Sequence, residues 1–300
     1  MTPGLENVIA VVKDPPGSMG PDWRAGWLAA HVPAEEGEQL MKLSINTCVI
    51  CAGWPLDKLI EVCRSTGYGA VEFRAESGQK HGVELEATPA QRREIKRKLE
   101  DGYLEACYIS TSQCLHQLDQ VRRRESIERA KQHVDLAADI NCRAIRVFGD
   151  GDPIGPDMDA CDAIRTTGDA LRAVAEHAAA TQVDVLFEMH GQFNFWGYAL
   201  GVVRHANHPK VGLTYNCVSQ DLVGGTIGET YSRICDHVRH VHMHDLEAGY
   251  PYPELFRLLH EDGYDGYCSL EVDYQGGDPE KVMALYSVLW RTQLALAAAM

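Results

Sequence analysis

Several features of familiar protein classes are missing from this sequence. No apolar run reaches the ~18 to 20 residues that a bilayer-spanning helix requires, and the first residues do not join a basic segment to an apolar one as a secretion signal does. Positive charge is scarce, because 28 lysines and arginines face 43 aspartates and glutamates, for a net charge of −15. Since nucleic-acid-binding proteins usually carry a basic face, we expect a cytoplasmic protein with neither a nucleic-acid nor a membrane partner.

Phosphate-binding loops are missing as well. No GxGxxG pattern follows an apolar run and no Walker-type loop is present, which weakens the case for a dinucleotide-binding or nucleotide-hydrolysing fold. The ten cysteines are scattered through apolar segments and are expected to be reduced core residues. Cys48 and Cys51 form one CxxC pattern, but no second ligand pair accompanies it, so neither a zinc site nor a redox site is predicted there.

The composition of the chain changes near Met41. Residues 1–40 contain PPG, GPD and AEEGE with little sustained periodicity, whereas residues 41–300 are sharply patterned. We therefore expect residues 1–40 to be an N-terminal extension, either packed outside the domain or not native to it. Residues 41–300 are expected to form a single domain.

Short apolar runs alternate with amphipathic segments from Met41 onward. Eight runs predict strands, at residues 43–47, 70–74, 104–109, 144–148, 183–188, 211–215, 238–243 and 267–272. Each helical segment falls between two such runs, which requires right-handed crossovers and a parallel sheet. Eight such units over about 260 residues match an α/β fold of the (β/α)8 TIM barrel type better than an open doubly wound sheet.

Capping residues and apolar stripes mark the predicted helices. Thr88, Pro89 and Gln91 supply an N-cap, a proline at the first helical position and an amide that reaches back. The segment 278–280, Asp-Pro-Glu, repeats this pattern before the last helix. The residues expected to form buried faces are Ile127, Ala130, Val134 and Ala137 in one helix and Val282, Leu285, Leu289 and Leu294 in the last.

Active sites of TIM barrels lie at the C-terminal ends of the strands, so polar residues at those ends are the candidates. The stretch 238–246, VRHVHMHDL, alternates like a half-buried strand and carries three histidines. Other predicted strands end with Glu72 and Arg74, Arg146 and Asp150, Glu188 and His190, Asn216, and Glu271 and Asp273. Carboxylates, an amide oxygen and an imidazole suit a six-coordinate Mn²⁺, Mg²⁺ or Co²⁺. The alternative is a set of independent ion pairs, but the metal is favoured because four separate strands supply the right residue types.

From Met41 onward the chain resembles the xylose isomerase-like barrel superfamily, a group of sugar and sugar-phosphate isomerases and epimerases. The resembling segments are LSINT, GYGAVEFR, AIRVFGD, LFEMHG, VGLTYN, RHVHMHD and YCSLEVD. The resemblance implies one divalent ion, held by a glutamate on strand 5, an aspartate on strand 6, a histidine on strand 7 and a glutamate on strand 8. The matching positions here are Glu188, Asn216, His242 and Glu271.

Asn216 departs from the family pattern, which has an aspartate followed three residues later by a histidine. The later position is Ser219 in this chain. The asparagine oxygen still ligates a hard cation, but the site loses one negative charge and one imidazole, so weaker metal binding is expected. His244 or His190 is a candidate to occupy the space that the family histidine would fill.

The resemblance also implies a reaction on a keto-sugar. A carbonyl and a neighbouring hydroxyl bound to the metal acidify the C–H between them, and two carboxylates on opposite faces of the enediolate, assigned here to Glu188 and Glu271, remove and return the proton. We expect an isomerase or epimerase. One alternative is a lyase that dehydrates a keto-sugar or keto-inositol, with His190 or His242 as the acid. Another is a non-catalytic carbohydrate-binding or partner subunit, whereas an apurinic-site endonuclease is disfavoured by the acidic chain.

A small carbohydrate is the expected ligand, and relatives imply a homo-oligomer. The predicted substrate-binding residues are His190, Arg146, Glu72, Trp196 and His244. Arg146 is predicted to anchor a carboxylate or hydroxyl group, or else to pair with Glu72 inside the barrel. Trp196 is predicted to stack on the sugar, or else to cover the core.

Overall fold

The computed structural model describes residues 41–155, 159–246 and 249–300, and in these ranges eight parallel strands close into a barrel in chain order. The strands are β1 (Lys42–Asn46), β2 (Ala70–Arg74), β3 (Glu105–Cys114), β4 (Ala144–Phe148), β5 (Asp184–Glu188), β6 (Val211–Asn216), β7 (Val238–Met243) and β8 (Tyr267–Leu270). The helices are α1 (Leu56–Thr66), α2 (Pro89–Asp101), α3 (Gln120–Asp139), α4 (Ala160–Ala178), α5 (Trp196–Ala206), α6 (Gly228–Ile234), α7 (Tyr252–Glu261) and α8 (Pro279–Ala298). The TIM-barrel prediction is confirmed. The predicted extension at residues 1–40 lies outside the described residues.

No helix in the described part of the chain combines the length and the apolar character that crossing a bilayer demands. The barrel closes through pairing of β1 with both β2 and β8. Each strand therefore has two hydrogen-bonded neighbours, and the carboxyl ends of all eight meet on one face.

Strand β3 is longer than its apolar pattern predicts. It continues from the expected end at residue 109 to Cys114, with Ser110 and Thr111 fully buried. Ser110 pairs in register with Arg146 of β4, and the Thr111 hydroxyl donates to the Arg146 carbonyl at 2.6 Å. Ser110 donates to the buried Glu72 carboxylate, so this polar extension is part of the strand although a search for apolar residues does not detect it.

The predicted helix caps are present. Thr88 caps α2 by accepting from Gln91 N at 3.3 Å, and the Gln91 side chain accepts in return from Thr88 N at 2.8 Å. Asp278 caps α8 by accepting from Lys281 N at 3.2 Å, with Pro279 at the first position. Both helices begin at the residues that the capping patterns indicate.

The predicted apolar faces of α3 and α8 pack against the core except at Leu285 of α8. Ala130, Val134 and Ala137 of α3 are fully buried. In α8, Val282, Leu289 and Leu294 are partly buried against the core, whereas Leu285 is 50% exposed. The most buried positions of the helix are Met283, Tyr286, Ser287, Trp290 and Ala297. The Trp290 ring packs on Phe256 of α7 at 4.7 Å. Large aromatic side chains bury more area than leucine, and they decide which face turns inward.

Candidate active site

Alternation along the strands places polar side chains inside the barrel. On β7, His240 and His242 are buried and reach Glu72 of β2 across the interior, while Val241 and Met243 pack in the apolar core. Successive side chains of a strand point to opposite faces, so two histidines two residues apart share the inner face. Two of the three histidines of VRHVHMHDL, His240 and His242, therefore contact buried carboxylates rather than solvent.

His242 bridges two glutamates. Its Nδ1 lies 2.8 Å from Glu188 Oε1 on β5, and its Nε2 lies 3.0 Å from Glu72 Oε1 on β2. None of these three side chains is more than 1% exposed. His240 contacts the other Glu72 oxygen, with Nε2 3.0 Å from Oε2. One imidazole therefore links carboxylates from two non-adjacent strands, β2 and β5.

Arg146 of β4 holds the remaining oxygen of Glu188. Its Nη1 lies 3.1 Å from Glu188 Oε2, and its Nε and Nη2 donate to the Thr111 carbonyl at 3.2 and 2.8 Å. The Arg146 side chain is 9% exposed. The interior ion pair considered for Arg146 is thus formed with Glu188 rather than with Glu72.

These contacts shift the pKa values of all three bridged groups. Burial by itself would raise the pKa of Glu188, but Arg146 and His242 lower it to about 2. Burial likewise opposes ionisation of Glu72, yet His242 and His240 hold its pKa well below the ordinary value. Burial would lower the pKa of His242, but the charges of Glu72 and Glu188 raise it well above 6.5. In this arrangement His242 is an imidazolium between two carboxylates.

Glu271, which follows β8, completes a group that suits a divalent ion. Its Oε2 lies 3.9 Å from His242 Nδ1, and ligand atoms of Glu188, His242 and Glu271 lie within 4.8 Å of one another. Two carboxylates and one imidazole are the ligand types that Mn²⁺, Co²⁺ and Mg²⁺ accept. The Glu271 side chain is 25% exposed, so solvent and ligands can reach this group of side chains from the direction of Glu271. The residues present therefore fit the ion that the sequence resemblance implies.

Asn216, the remaining implied ligand, lies at the end of β6 next to His244. Asn216 Oδ1 is 2.7 Å from His244 Nε2, and Asn216 is 5% exposed. Of the two histidines proposed for the neighbouring space, His244 is the one that contacts Asn216. His190 contacts Asp150 instead.

Asp150 and His190 form an ion pair at the barrel rim. The two side chains are 23% and 50% exposed, and hydrogen bonding to Asp150 raises the pKa of His190. Gly191 has φ +54°, and a Cβ at this position would clash with the Asp150 carboxylate. Glycine at 191 therefore allows the loops after β4 and β5 to bring the pair together.

A cavity of about 650 Å³ opens beside Glu271 and His244. Its wall includes Val218, Leu222, Tyr250, Tyr252, Tyr274, Val282 and Tyr286. Trp196 begins α5 and its ring faces the Arg233 guanidinium at 5.5 Å. Among the predicted substrate-binding residues, His244 lines this cavity, while Glu72 has no exposed surface.

No role was predicted from the sequence for Asn46 or for His240. Asn46 Nδ2 donates to Glu72 Oε1 at 2.9 Å and lies 3.5 Å from Glu271 Oε1. His240 shares the inward parity of His242, and that parity is the signal that would have identified it. For Asn46 the signal is its place at the C-terminal end of β1.

The fold and this group of side chains define a TIM-barrel protein with a candidate divalent-metal centre at the strand ends. A family model described as a xylose isomerase-like TIM barrel matches residues 60–290, and the chain belongs to this family. No curated protein matches the sequence.

Solved structures of sugar epimerases and of a dehydratase have a similar fold. The 3-keto-D-glucoside 4-epimerase from E. coli has a TM-score of 0.69 at 15% identity, over 84% of this chain and 99% of that one. An L-ribulose 3-epimerase has a TM-score of 0.73 at 15% identity, over 86% and 96%. The probable 3-DHS dehydratase from Bacillus anthracis has a TM-score of 0.63 at 15% identity, over 83% and 98%. At this identity the likeness establishes the fold alone.

Proposed function

We propose that this protein is a divalent-metal-dependent keto-sugar isomerase or epimerase. The ion, Mn²⁺, Co²⁺ or Mg²⁺, would be held by Glu188, Asn216, His242 and Glu271. The observation that carries the proposal is the meeting of Glu188, His242 and Glu271 from three strands, with ligand atoms within 4.8 Å of one another. Independent surface ion pairs would not require three inward-facing groups of these types at one end of the barrel.

The proposed reaction assigns Glu271 and Glu188 as acid and base on the two faces of a bound substrate. A bound ion would polarise a substrate carbonyl and its neighbouring hydroxyl, which acidifies the C–H between them. Because its pKa is held near 2, Glu188 is a weak base at neutral pH. We therefore assign the first proton abstraction to Glu271, which lines the cavity, and the opposite face to Glu188.

The cavity beside Glu271 suits a small carbohydrate. Its volume of about 650 Å³ is within the usual range for small-molecule sites, and its wall combines tyrosines with His244 and Asp273. Aromatic rings cover the apolar faces of a sugar, while imidazole and carboxylate groups bind its hydroxyls.

A lyase acting on the same class of substrate is the second candidate. The Asp150–His190 pair favours it, because elimination of water needs an acid at the hydroxyl next to the acidified carbon. The side chain of His190 is half exposed at the rim, two residues beyond Glu188.

Metal analysis and deuterium exchange test the proposal together. Protein purified without a metal affinity step should hold about one equivalent of Mn, Co or Mg, directly or after addition of Mn²⁺, and Glu271→Gln should lose it. With the ion bound, a panel of keto-sugars in D₂O should include one that exchanges a C–H.

The outcomes separate three classes of protein. Exchange with no leaving group supports an isomerase or epimerase, and loss of water supports the lyase. A wild-type protein that binds no ion and exchanges no proton, but still binds a sugar, contradicts both and leaves the non-catalytic binding subunit.

A further inference from the structure

The proposed function leaves Glu72 without a role, although it lies against the candidate metal centre. Its Oε1 is 3.0 Å from His242 Nε2 and its Oε2 is 3.0 Å from His240 Nε2. The residue is 0% exposed. A carboxylate buried this completely is retained only with partners that compensate its lost hydration.

Both oxygens of Glu72 are already occupied by donors from other strands. Oε1 accepts from Asn46 Nδ2 at 2.9 Å and also from the Ser110 hydroxyl, in addition to His242. Oε2 accepts from His240, with His242 Nε2 3.1 Å away. An ion ligated by Glu72 would have to displace several of these hydrogen bonds inside the closed part of the barrel. Glu271, with a partly exposed side chain, offers an ion an open approach.

The two nitrogens of His242 therefore face different surroundings. Nε2 points at Glu72, and an ionised carboxylate only accepts hydrogen bonds, so Nε2 carries a hydrogen. Nδ1 points at Glu188 at 2.8 Å and at Glu271 at 3.9 Å, the two carboxylates of the candidate centre. A neutral His242 with hydrogen on Nε2 has its lone pair on Nδ1, where the ion would lie.

We infer that Glu72 is a positioning residue that fixes His242 in the Nε2–H tautomer and so directs its Nδ1 lone pair at the metal centre. The inference rests on the proposed metal-dependent function. Metal-bound histidines commonly donate their other N–H to a carboxylate, which fixes the ring and raises its basicity. His240, whose ring stacks on Tyr108 at 4.1 Å, in turn holds the Glu72 carboxylate from its other oxygen.

A second possible ion site would require the other tautomer of His242. Ligand atoms of Glu72, His240 and His242 also lie within 4.8 Å of one another, so they form a second possible ion site. In that site Nε2 of His242 would be the ligand and Nδ1 would carry the hydrogen. The two arrangements are distinguished by which nitrogen of His242 is protonated in the metal-bound protein.

Nitrogen-15 NMR of the histidine rings in the full-length wild-type protein answers this directly. The protein is labelled with [¹⁵N]histidine and loaded with one equivalent of Zn²⁺, a diamagnetic probe, and His242→Gln identifies the resonances. We expect Nε2 of His242 to be protonated and Nδ1 to be metal-bound. Protonated Nδ1 with metal-bound Nε2 would overturn the inference while leaving the metal-dependent function standing. A wild-type protein that binds no ion overturns both.

A matched pair of variants tests the same inference through affinity. Glu72→Gln should weaken Mn²⁺ binding by about 10- to 100-fold, measured by chelator competition. Glu76→Gln is the control, because Glu76 also accepts several hydrogen bonds, from Ser112 N at 2.8 Å and Gln113 Nε2 at 2.8 Å, but does not contact His242. The control should retain wild-type affinity. The positioning role would be contradicted if a folded Glu72→Gln variant kept wild-type Mn²⁺ affinity, or if both variants lost affinity equally. If Glu72→Gln does not fold, the NMR measurement on the wild-type protein tests the positioning role instead.

Discussion

The Nδ1 atom of His242 lies 2.8 Å from Oε1 of Glu188, deep in the barrel and away from solvent. Both residues are among the four that the family pattern assigns to a metal. The proton that joins them therefore occupies the position that an ion would need. Electrostatics that stabilise the metal-free protein thus compete directly with metal binding.

Metal binding should release a proton and tighten as the pH rises. Glu72 and Glu188 raise the pKa of His242 well above 6.5, so its Nδ1 is protonated at neutral pH when no ion is bound. The ion replaces that proton, and its Kd should fall about tenfold per pH unit between neutral pH and the raised pKa. Calorimetric titration with Mn²⁺ in two buffers of different ionisation enthalpy measures the proton count. Equal apparent enthalpies in both buffers would contradict the assignment.

Removing Arg146 should destabilise the fold strongly. Arg146→Met leaves the buried Glu188 carboxylate without its guanidinium partner, which should lower the free energy of unfolding by roughly 3 to 5 kcal/mol. Arg97→Met is the matched control, because Arg97 pairs with Glu94 and Asp101 on the surface of α2 and is 59% exposed. Its loss should be below about 1 kcal/mol. Urea unfolding compares the two, and similar losses would contradict the buried pair.

The barrel was predictable because it depends on patterns that are local in sequence. Strands and helices alternate regularly, and caps such as Thr88 mark helix starts through contacts three residues away. The most buried positions of α8 were not predictable in this way, since Trp290 packs on Phe256 of a different helix while Leu285 is exposed. Helix periodicity alone does not predict whether an aromatic residue or a leucine on the same helix will be the more deeply buried.

The candidate site was predictable in its residue types but not in its pairings. The family pattern identified Glu188, His242 and Glu271, which the fold brings together. It gave no indication that Glu72 binds His242, because β2 and β7 are not neighbours in the sheet and their side chains meet only across the closed interior. Contacts between non-adjacent strands depend on barrel closure, which no local pattern encodes.

Gly191→Ala should destabilise the protein and separate the rim pair. Gly191 has φ +54°, and an added Cβ would clash with the Asp150 carboxylate, which contacts His190. We expect a loss of roughly 1 to 3 kcal/mol in thermal or urea unfolding. Gly53→Ala is the control, since a Cβ added at Gly53 would meet no atom within 4 Å and the φ of Gly53 is not positive. A Gly191→Ala variant as stable as the control would show that the loop adapts at no cost.

Asp221→Asn should stabilise the protein at neutral pH. Burial raises the pKa of Asp221 from 3.8 to about 6. The folded state therefore binds a proton more tightly than the unfolded state, and stability falls as the pH rises from about 4 to about 6, by on the order of 3 kcal/mol. Asp221 Oδ2 is buried without a hydrogen-bond partner among the described residues, whereas Asp221 Oδ1 accepts from Asn194 Nδ2 at 3.0 Å, and an asparagine at 221 can keep this contact without a buried charge.

The pH dependence of unfolding checks this assignment. The free energies of unfolding of the wild type and Asp221→Asn should be similar below about pH 4 and should separate between about pH 4 and about pH 6, with the variant more stable and the difference constant above that window. A constant difference across that range would mean that Asp221 does not titrate there.

Asn216→Asp should tighten metal binding, because it adds a negative charge at the position where the family has aspartate. The side-chain oxygen of Asn216 lies 2.7 Å from His244 Nε2. An aspartate at this position can accept a hydrogen bond from His244 with one carboxylate oxygen and offer the other oxygen to the ion. An added carboxylate ligand should lower the Kd for Mn²⁺ by at least about tenfold. Asn141→Asp is the control, since it makes the same change in net charge in the turn that precedes β4, at the opposite end of the barrel. If Asn216→Asp binds Mn²⁺ no more tightly than this control, residue 216 is not a ligand, and Glu188, His242 and Glu271 hold the ion without it.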